Sequence, residues 1–278
     1  MSRFGFNINW KNTPEQILEL GELYLKTGLY QAIEVTYYEN MEGIDTSAYN
    51  KAIRTIVEKY HPQVLVHISA FNLSEENSVI RNAIFDEIQN CMKYTLRLGG
   101  TEMIIHGGFL SSGMHVPVVH EDGSKATRME VREKAWGLSV QMLKRACILA
   151  EEYGMTLYTE NMNEDHLTPD CKALNELLDE VAMENLKIVF DIGHCNGNGY
   201  NIVEDVLEAG KRLGHLHLHD NFGKDNGHLP IGEGTIDFGA FAQALKKIDY
   251  KGLYMLELFR CDTENLKYSR ERLLECLK

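Results

Sequence analysis

The sequence predicts a single-domain α/β protein, a closed (β/α)8 TIM barrel over residues 1–278. Three observations carry that expectation. Short apolar or alternating segments suited to strands recur along the whole chain, with helical spacing in the intervals. That alternation argues for a parallel sheet covered by helices, and eight such units in about 250 residues favour closure of the sheet. The first strand–helix turn, Asn9-Trp10-Lys11-Asn12, lacks the Gly-rich phosphate cradle of an open dinucleotide-binding sheet.

Strand 1 is expected over Phe4–Asn9. Thr13-Pro14-Glu15 then opens a helix, with a capping hydroxyl, a proline at the first turn and an acid at the positive end of the helix dipole. Ile17, Leu18, Gly21, Tyr24 and Leu25 continue it at helical spacing. The remaining strands are expected at Ala32–Tyr38, Val64–Ser69, Glu102–Gly107, Thr156–Met162, Lys187–His194, Gly214–Asp220 and Leu253–Phe259. Helices are expected between and after them at Asp45–Tyr60, Ser78–Leu98, Arg128–Tyr153, Pro169–Val181, Ile202–Leu213, Phe238–Ile248 and Glu264–Leu277. No composition break is long enough to be a linker.

Charge narrows the function classes. Lys and Arg number 28 against 41 Asp and Glu, a net charge of −13, which disfavours nucleic acid and anionic lipid as partners. No apolar run approaches the roughly 18 residues a membrane span needs, and Met1-Ser2-Arg3 runs straight into the first strand, without room for a signal sequence. The six cysteines show no C-x-x-C spacing, so free thiols and a cytoplasmic location are expected. Exposed helices and an acidic surface permit a homo-oligomer.

In a TIM barrel the active site lies at the C-terminal ends of the strands. Those ends carry Glu34, His67, His106, Glu160, Asp191 with His194, His217 with Asp220, and Glu257. The densest stretch runs from Leu213 to Phe238, where His215, His217 and His219 alternate with leucines and His228 follows on a loop. Carboxylates converging inside a ring raise one another's pKa unless a cation balances them. Glu160, Asp191, His217 and Glu257 offer three hard oxygens and one imidazole, a set suited to one Mn²⁺, Mg²⁺ or Co²⁺ ion, with Zn²⁺ also compatible. Glu160 and Glu257 double as the acid/base pair. Glu34, His67, His106, His194 and His228 are expected to contact substrate. His215 is expected deeper, as a satisfied buried histidine, and His219 nearer the rim. Cys195 has no base–orienter pair and is read as packing; Glu233 is read as structural. Trp10 and Phe109 either stack on substrate or cover the barrel mouth.

FDIGHCN (190–196), HLHLHDN (215–221), HLPIGEG (228–234) and YMLELF (254–259) resemble the motifs of the xylose isomerase-like TIM barrels, over nearly the whole chain. That family includes ketose 3-epimerases, hydroxypyruvate isomerase, inosose dehydratases and endonuclease IV. The resemblance implies that Glu160, Asp191, His217 and Glu257 hold the metal, that His194 touches a substrate oxygen, and that the glutamates move a proton through an enediolate. The implied activity is a sugar or sugar-phosphate isomerase or epimerase acting on a small carbohydrate. Two alternatives stand beside it: a multi-zinc phosphodiesterase acting on abasic DNA, and a polyol or inosose dehydratase. The nuclease pattern has an Asp-x-His before Gly-Glu-Gly, where this chain reads Asn226-Gly227-His228, leaving Asp225 as the substitute carboxylate. HGGFLSSG after strand 4 also departs from that pattern. Ketose 3-epimerases carry a second Glu after strand 5 and an Arg before the Pro-Gly turn, roughly where this chain has His166 and His228.

Overall fold

The computed structural model describes residues 2–39, 45–68, 71–110, 121–223 and 227–278. Eight parallel strands close in sequence order: β1 (Arg3–Ile8), β2 (Ala32–Thr36), β3 (Gln63–His67), β4 (Glu102–His106), β5 (Thr156–Glu160), β6 (Leu186–Asp191), β7 (Leu213–Leu218) and β8 (Leu253–Leu256). Around them run α1 (Pro14–Leu20), α2 (Ser47–Tyr60), α3 (Ser78–Arg97), α4 (Arg128–Glu152), α5 (Cys171–Val181), α6 (Ile192–Gly197), α7 (Ile202–Ala209), α8 (Phe238–Lys247) and α9 (Thr263–Cys276). The expected barrel is therefore present.

Side-chain caps set most helix starts. The Thr13 hydroxyl accepts from the Gln16 N–H at 3.3 Å while the Gln16 side chain accepts from the Thr13 N–H at 2.9 Å. Thr127 and Glu130 repeat the same reciprocal box at α4, and Asn77, Asp170, Asn201, Asp237 and Asp262 cap α3, α5, α7, α8 and α9. Each satisfies backbone donors that a helix start leaves free. Several features depart from the expected elements. The first helix widens to a π turn over Gly21–Leu25, the helix after Ile202 tightens to a 3-10 turn over Gly210–Arg212, and the short α6 follows β6 directly. Strand 8 ends at Leu256, not Phe259, although the ladder continues one bond further, Glu257 N–H donating to the Leu218 carbonyl at 3.1 Å.

Alternation divides each strand between two environments. Outward residues such as Phe4, Phe6, Ile33, Val35, Val64, Val66, Met103, Ile105, Ile188 and Phe190 pack with the helices in the main core. Inward residues Ala32, Leu65, Ile104, Tyr158, Val189, Leu253 and Met255 make a separate apolar cluster within the barrel. Gly5 belongs to this interior: a Cβ there would lie 2.5 Å from the Met255 methyl, so the missing side chain is what lets Met255 cross the barrel. All six cysteines are unpaired, and every one except Cys276 is buried. Among the described residues no helix is long and apolar enough to cross a membrane.

Candidate active site

Two residues beyond the apolar interior cluster, the same strand faces turn polar. Ala32 leads to Glu34, Leu65 to His67, Ile104 to His106, Tyr158 to Glu160, Val189 to Asp191 and Met255 to Glu257. The pleat alone aims these side chains inward, because residues two apart share a face. His217 joins them two residues beyond His215, and its strand partners are Asp191 on β6 and Met255 on β8.

One ligand atom each from Glu160, Asp191, His217 and Glu257 lies within 4.8 Å of the others. His217 Nδ1 stands 3.0 Å from Glu160 Oε1, 3.4 Å from Glu257 Oε2 and 4.0 Å from Asp191 Oδ2. Among the described residues no lysine or arginine pairs with any of the three carboxylates; their ion-pair partners are imidazoles. Glu160 Oε2 and Glu257 Oε2 are buried with no hydrogen-bond partner. Hard oxygens, one imidazole nitrogen and unpartnered buried acceptors make a donor set that fits a divalent cation.

The electrostatics are divided. Burial raises the Glu257 carboxyl well above its ordinary range, and Glu160, Asp191 and Glu34 add to this against the opposing His217. Burial also pushes Glu160 upward, but the charge of His217, its hydrogen bond to Glu160 Oε1 and the nearby imidazoles of His106 and His67 carry it well below. Desolvation favours neutral His217, yet Glu34, Glu257 and Glu160 together hold its pKa well above the usual imidazole value. In the metal-free protein the two glutamates are thus pushed in opposite directions.

The strand-end imidazoles converge on the same place. His67 Nε2 and His106 Nε2 are 3.0 Å apart, at 3.5 and 3.4 Å from Glu160 Oε2. Burial lowers His106 to about 4, with Glu160 opposing. His194 sits on α6, its Nδ1 donating to the Asn161 carbonyl at 3.0 Å. His228 donates from Nδ1 to the Glu257 carbonyl at 2.9 Å and stacks between His219, at 3.7 Å, and Phe259, at 4.1 Å.

Glu34 is placed lower than a strand-end residue, opposite Leu65 in register and 1% exposed, in contact with His215 and His217. His215 is the buried, satisfied histidine expected. His219 is not at the rim: it is fully buried, with Nε2 at 3.1 Å from Asp191 Oδ1. β7 ends at Leu218, so the chain turns there and carries His219 across to Asp191. Asp220 is drawn into structure, its carboxylate accepting from the backbone N–H groups of Asn221, Gly232 and Ile236 and so tying the catalytic-face loop. Asp225 and the end of HGGFLSSG lie outside the described residues.

Two residues, Asn161 and Gly193, and one further role of Asp191 were not singled out from sequence. Asn161 clasps Asp191, accepting its N–H at 2.7 Å and donating to its carbonyl at 2.8 Å. Gly193 is needed for close approach, since a Cβ there would collide with the His219 ring. Asp191 also caps α6, accepting from the His194 N–H at 2.7 Å. The run Asp-x-Gly-His held the signal, a cap residue three before the helix's histidine.

A model of the family described as xylose isomerase-like TIM barrel matches residues 22–277. The chain belongs to this family. An uncharacterized protein of Methanocaldococcus jannaschii is 30% identical over 234 residues, covering 81% of this chain and 72% of that one. Inosose isomerase of Bacillus subtilis is 26% identical over 224 residues, covering 78% and 73%. D-psicose 3-epimerase of Enterocloster bolteae is 32% identical over 123 residues, only 44% of this chain and 39% of that enzyme. The solved structure of a D-tagatose 3-epimerase-like protein superposes with a TM-score of 0.74 at 24% identity, covering 99% and 97% of the two chains, a likeness of fold.

Proposed function

We propose that this chain is a divalent-metal-dependent sugar or sugar-phosphate isomerase or epimerase that moves a proton at a carbon next to a carbonyl. The observation that carries the reading is the convergence of Glu160 and Glu257, from different strands, on the His217 Nδ1 face beside Asp191. Relatives named inosose isomerase and D-psicose 3-epimerase support the reaction class.

Glu160, Asp191, His217 and Glu257 would hold the ion. When bound, it would polarise a substrate carbonyl or hydroxyl and balance the negative charge that develops on an enediolate. Glu160 and Glu257 serve as the acid/base pair, one taking the proton from carbon and the other returning one from its own side. His194, with Nδ1 committed to Asn161, presents Nε2 to substrate oxygen, and His67, His106 and His228 supply further imidazole contacts around the ring. A small carbohydrate is the expected partner, and the same proton abstraction would serve dehydration of an inosose.

The test is solvent exchange. With Mn²⁺ in D₂O, a panel of ketohexoses, ketohexose phosphates and scyllo-inosose is followed by NMR. Wild-type protein should place deuterium next to the carbonyl of at least one compound, and E160Q and E257Q, folded normally, should each lose about 10²–10⁴-fold in rate. Full turnover in both variants refutes the reading.

One observation favours a second reading. His67, His106 and Glu160 form another three-ligand group within 4.8 Å, and His219, His228 and Glu257 a third, as a multi-zinc phosphodiesterase would need. Three zinc ions per chain with cleavage of an abasic duplex would establish it; one ion without cleavage would remove it.

A further inference from the structure

The buried carboxylate of Glu34 has no place in the proton transfer just described, yet it holds the back of His217. Glu34 Oε2 lies 3.1 Å from His217 Nε2 and also 3.1 Å from His215 Nε2. An ionised carboxylate oxygen carries no hydrogen, so both nitrogens must donate to it. His217 therefore keeps a hydrogen on Nε2, and when neutral its lone pair is on Nδ1, the nitrogen facing Glu160, Glu257 and Asp191. The alternative tautomer would present an N–H to the place where a cation must sit. His215 adds rigidity: packed near Tyr158, with ring centroids 5.5 Å apart, it donates to the same oxygen and fixes the carboxylate's angle.

We propose that Glu34 is a positioning residue, a carboxylate that locks His217 in the Nε2–H tautomer and so reserves Nδ1 as the ligand for a divalent ion. The inference rests on the metal-site reading above. It differs from the expectation that Glu34 touches substrate, because its hydrogen-bond partners are imidazoles and almost none of it is exposed. A carboxylate behind a ligating histidine raises the basicity and fixes the orientation of that ligand, and its loss costs 10–100-fold in metal affinity in general.

The experiment titrates chelator-stripped protein with Mn²⁺, reading free ion by electron paramagnetic resonance, for wild type, E34Q and E34L. Glutamine keeps the shape and one acceptor oxygen but removes the charge, so affinity should fall about 10-fold; leucine removes both, and the fall should approach 100-fold. E34Q is nearly isosteric and serves if E34L does not fold. In ¹⁵N-labelled, Zn²⁺-loaded wild type, the His217 Nε2–H should appear as a strongly downfield, hydrogen-bonded imidazole proton, shifted upfield in E34Q. A merely space-filling role would move neither readout. Wild-type affinity in both variants, or a proton on Nδ1 of His217 in the loaded protein, overturns the inference alone. Wild-type protein that takes up no ion overturns the metal reading and this inference with it.

Discussion

Two inward-facing layers of this barrel, two residues apart along six of its eight strands, are built from opposite chemistry. Ala32, Leu65, Ile104, Tyr158, Val189 and Met255 are packed as an apolar plug; Glu34, His106, Glu160 and Asp191, all buried, form a polar ring with the partly exposed His67 and Glu257. Both face the axis, and both are almost closed to water. The lower layer gains from burial, about 25 cal/mol per Å² of apolar surface. The upper layer loses, because carboxylates without a cation repel and are poorly solvated. The difference marks where packing gives way to chemistry: imidazoles face the ring's carboxylates, and Glu160 Oε2 and Glu257 Oε2 stay buried without a hydrogen-bond partner.

Substitutions should therefore act with opposite sign in the two layers. Leu65→Ala removes buried methyl groups from the plug and should destabilise by about 2–5 kcal/mol, measured by urea unfolding. A loss well under 1 kcal/mol would mean that the plug is not tightly packed and would break the contrast.

The smaller effect is expected at Glu257 in metal-free protein. Burial holds its carboxyl well above the ordinary 4.5, so below about that pH both folded and unfolded chains are protonated and E257Q should match wild type. As pH rises, the unfolded chain ionises first and the wild-type fold loses stability, whereas glutamine cannot ionise. E257Q should then become the more stable protein, the gap widening from pH 5 to pH 8 in the presence of chelator. Equal or lower stability of E257Q across that range would show that the ring is not electrostatically strained.

Much of this architecture is legible in local sequence. The strands announce themselves by alternation, and the helices by Thr13-Pro14, Asn77, Thr127 and Asp237 at their starts, since both depend on neighbours in the chain. The residues of the ring were legible too, because position along a strand fixes which way a side chain points. Depth and partnership were not. Glu34 reads as a strand-end group, but the stagger between tilted strands sets it beside Leu65 and below the mouth. His219 reads as a rim residue, yet the turn after Leu218 delivers it to Asp191, and the space it occupies exists only because position 193 is glycine. Such pairings join distant segments, as Glu34 joins His215 and His217, and local pattern does not encode them.

The central claim is that the four residues from strands 5 to 8 hold one divalent ion. A crystal grown with Mn²⁺ and measured at the manganese absorption edge tests it directly. The account predicts one anomalous peak per chain, bounded by Glu160, Asp191, His217 Nδ1 and Glu257. No peak there, or a peak confined to His67 and His106, would contradict it.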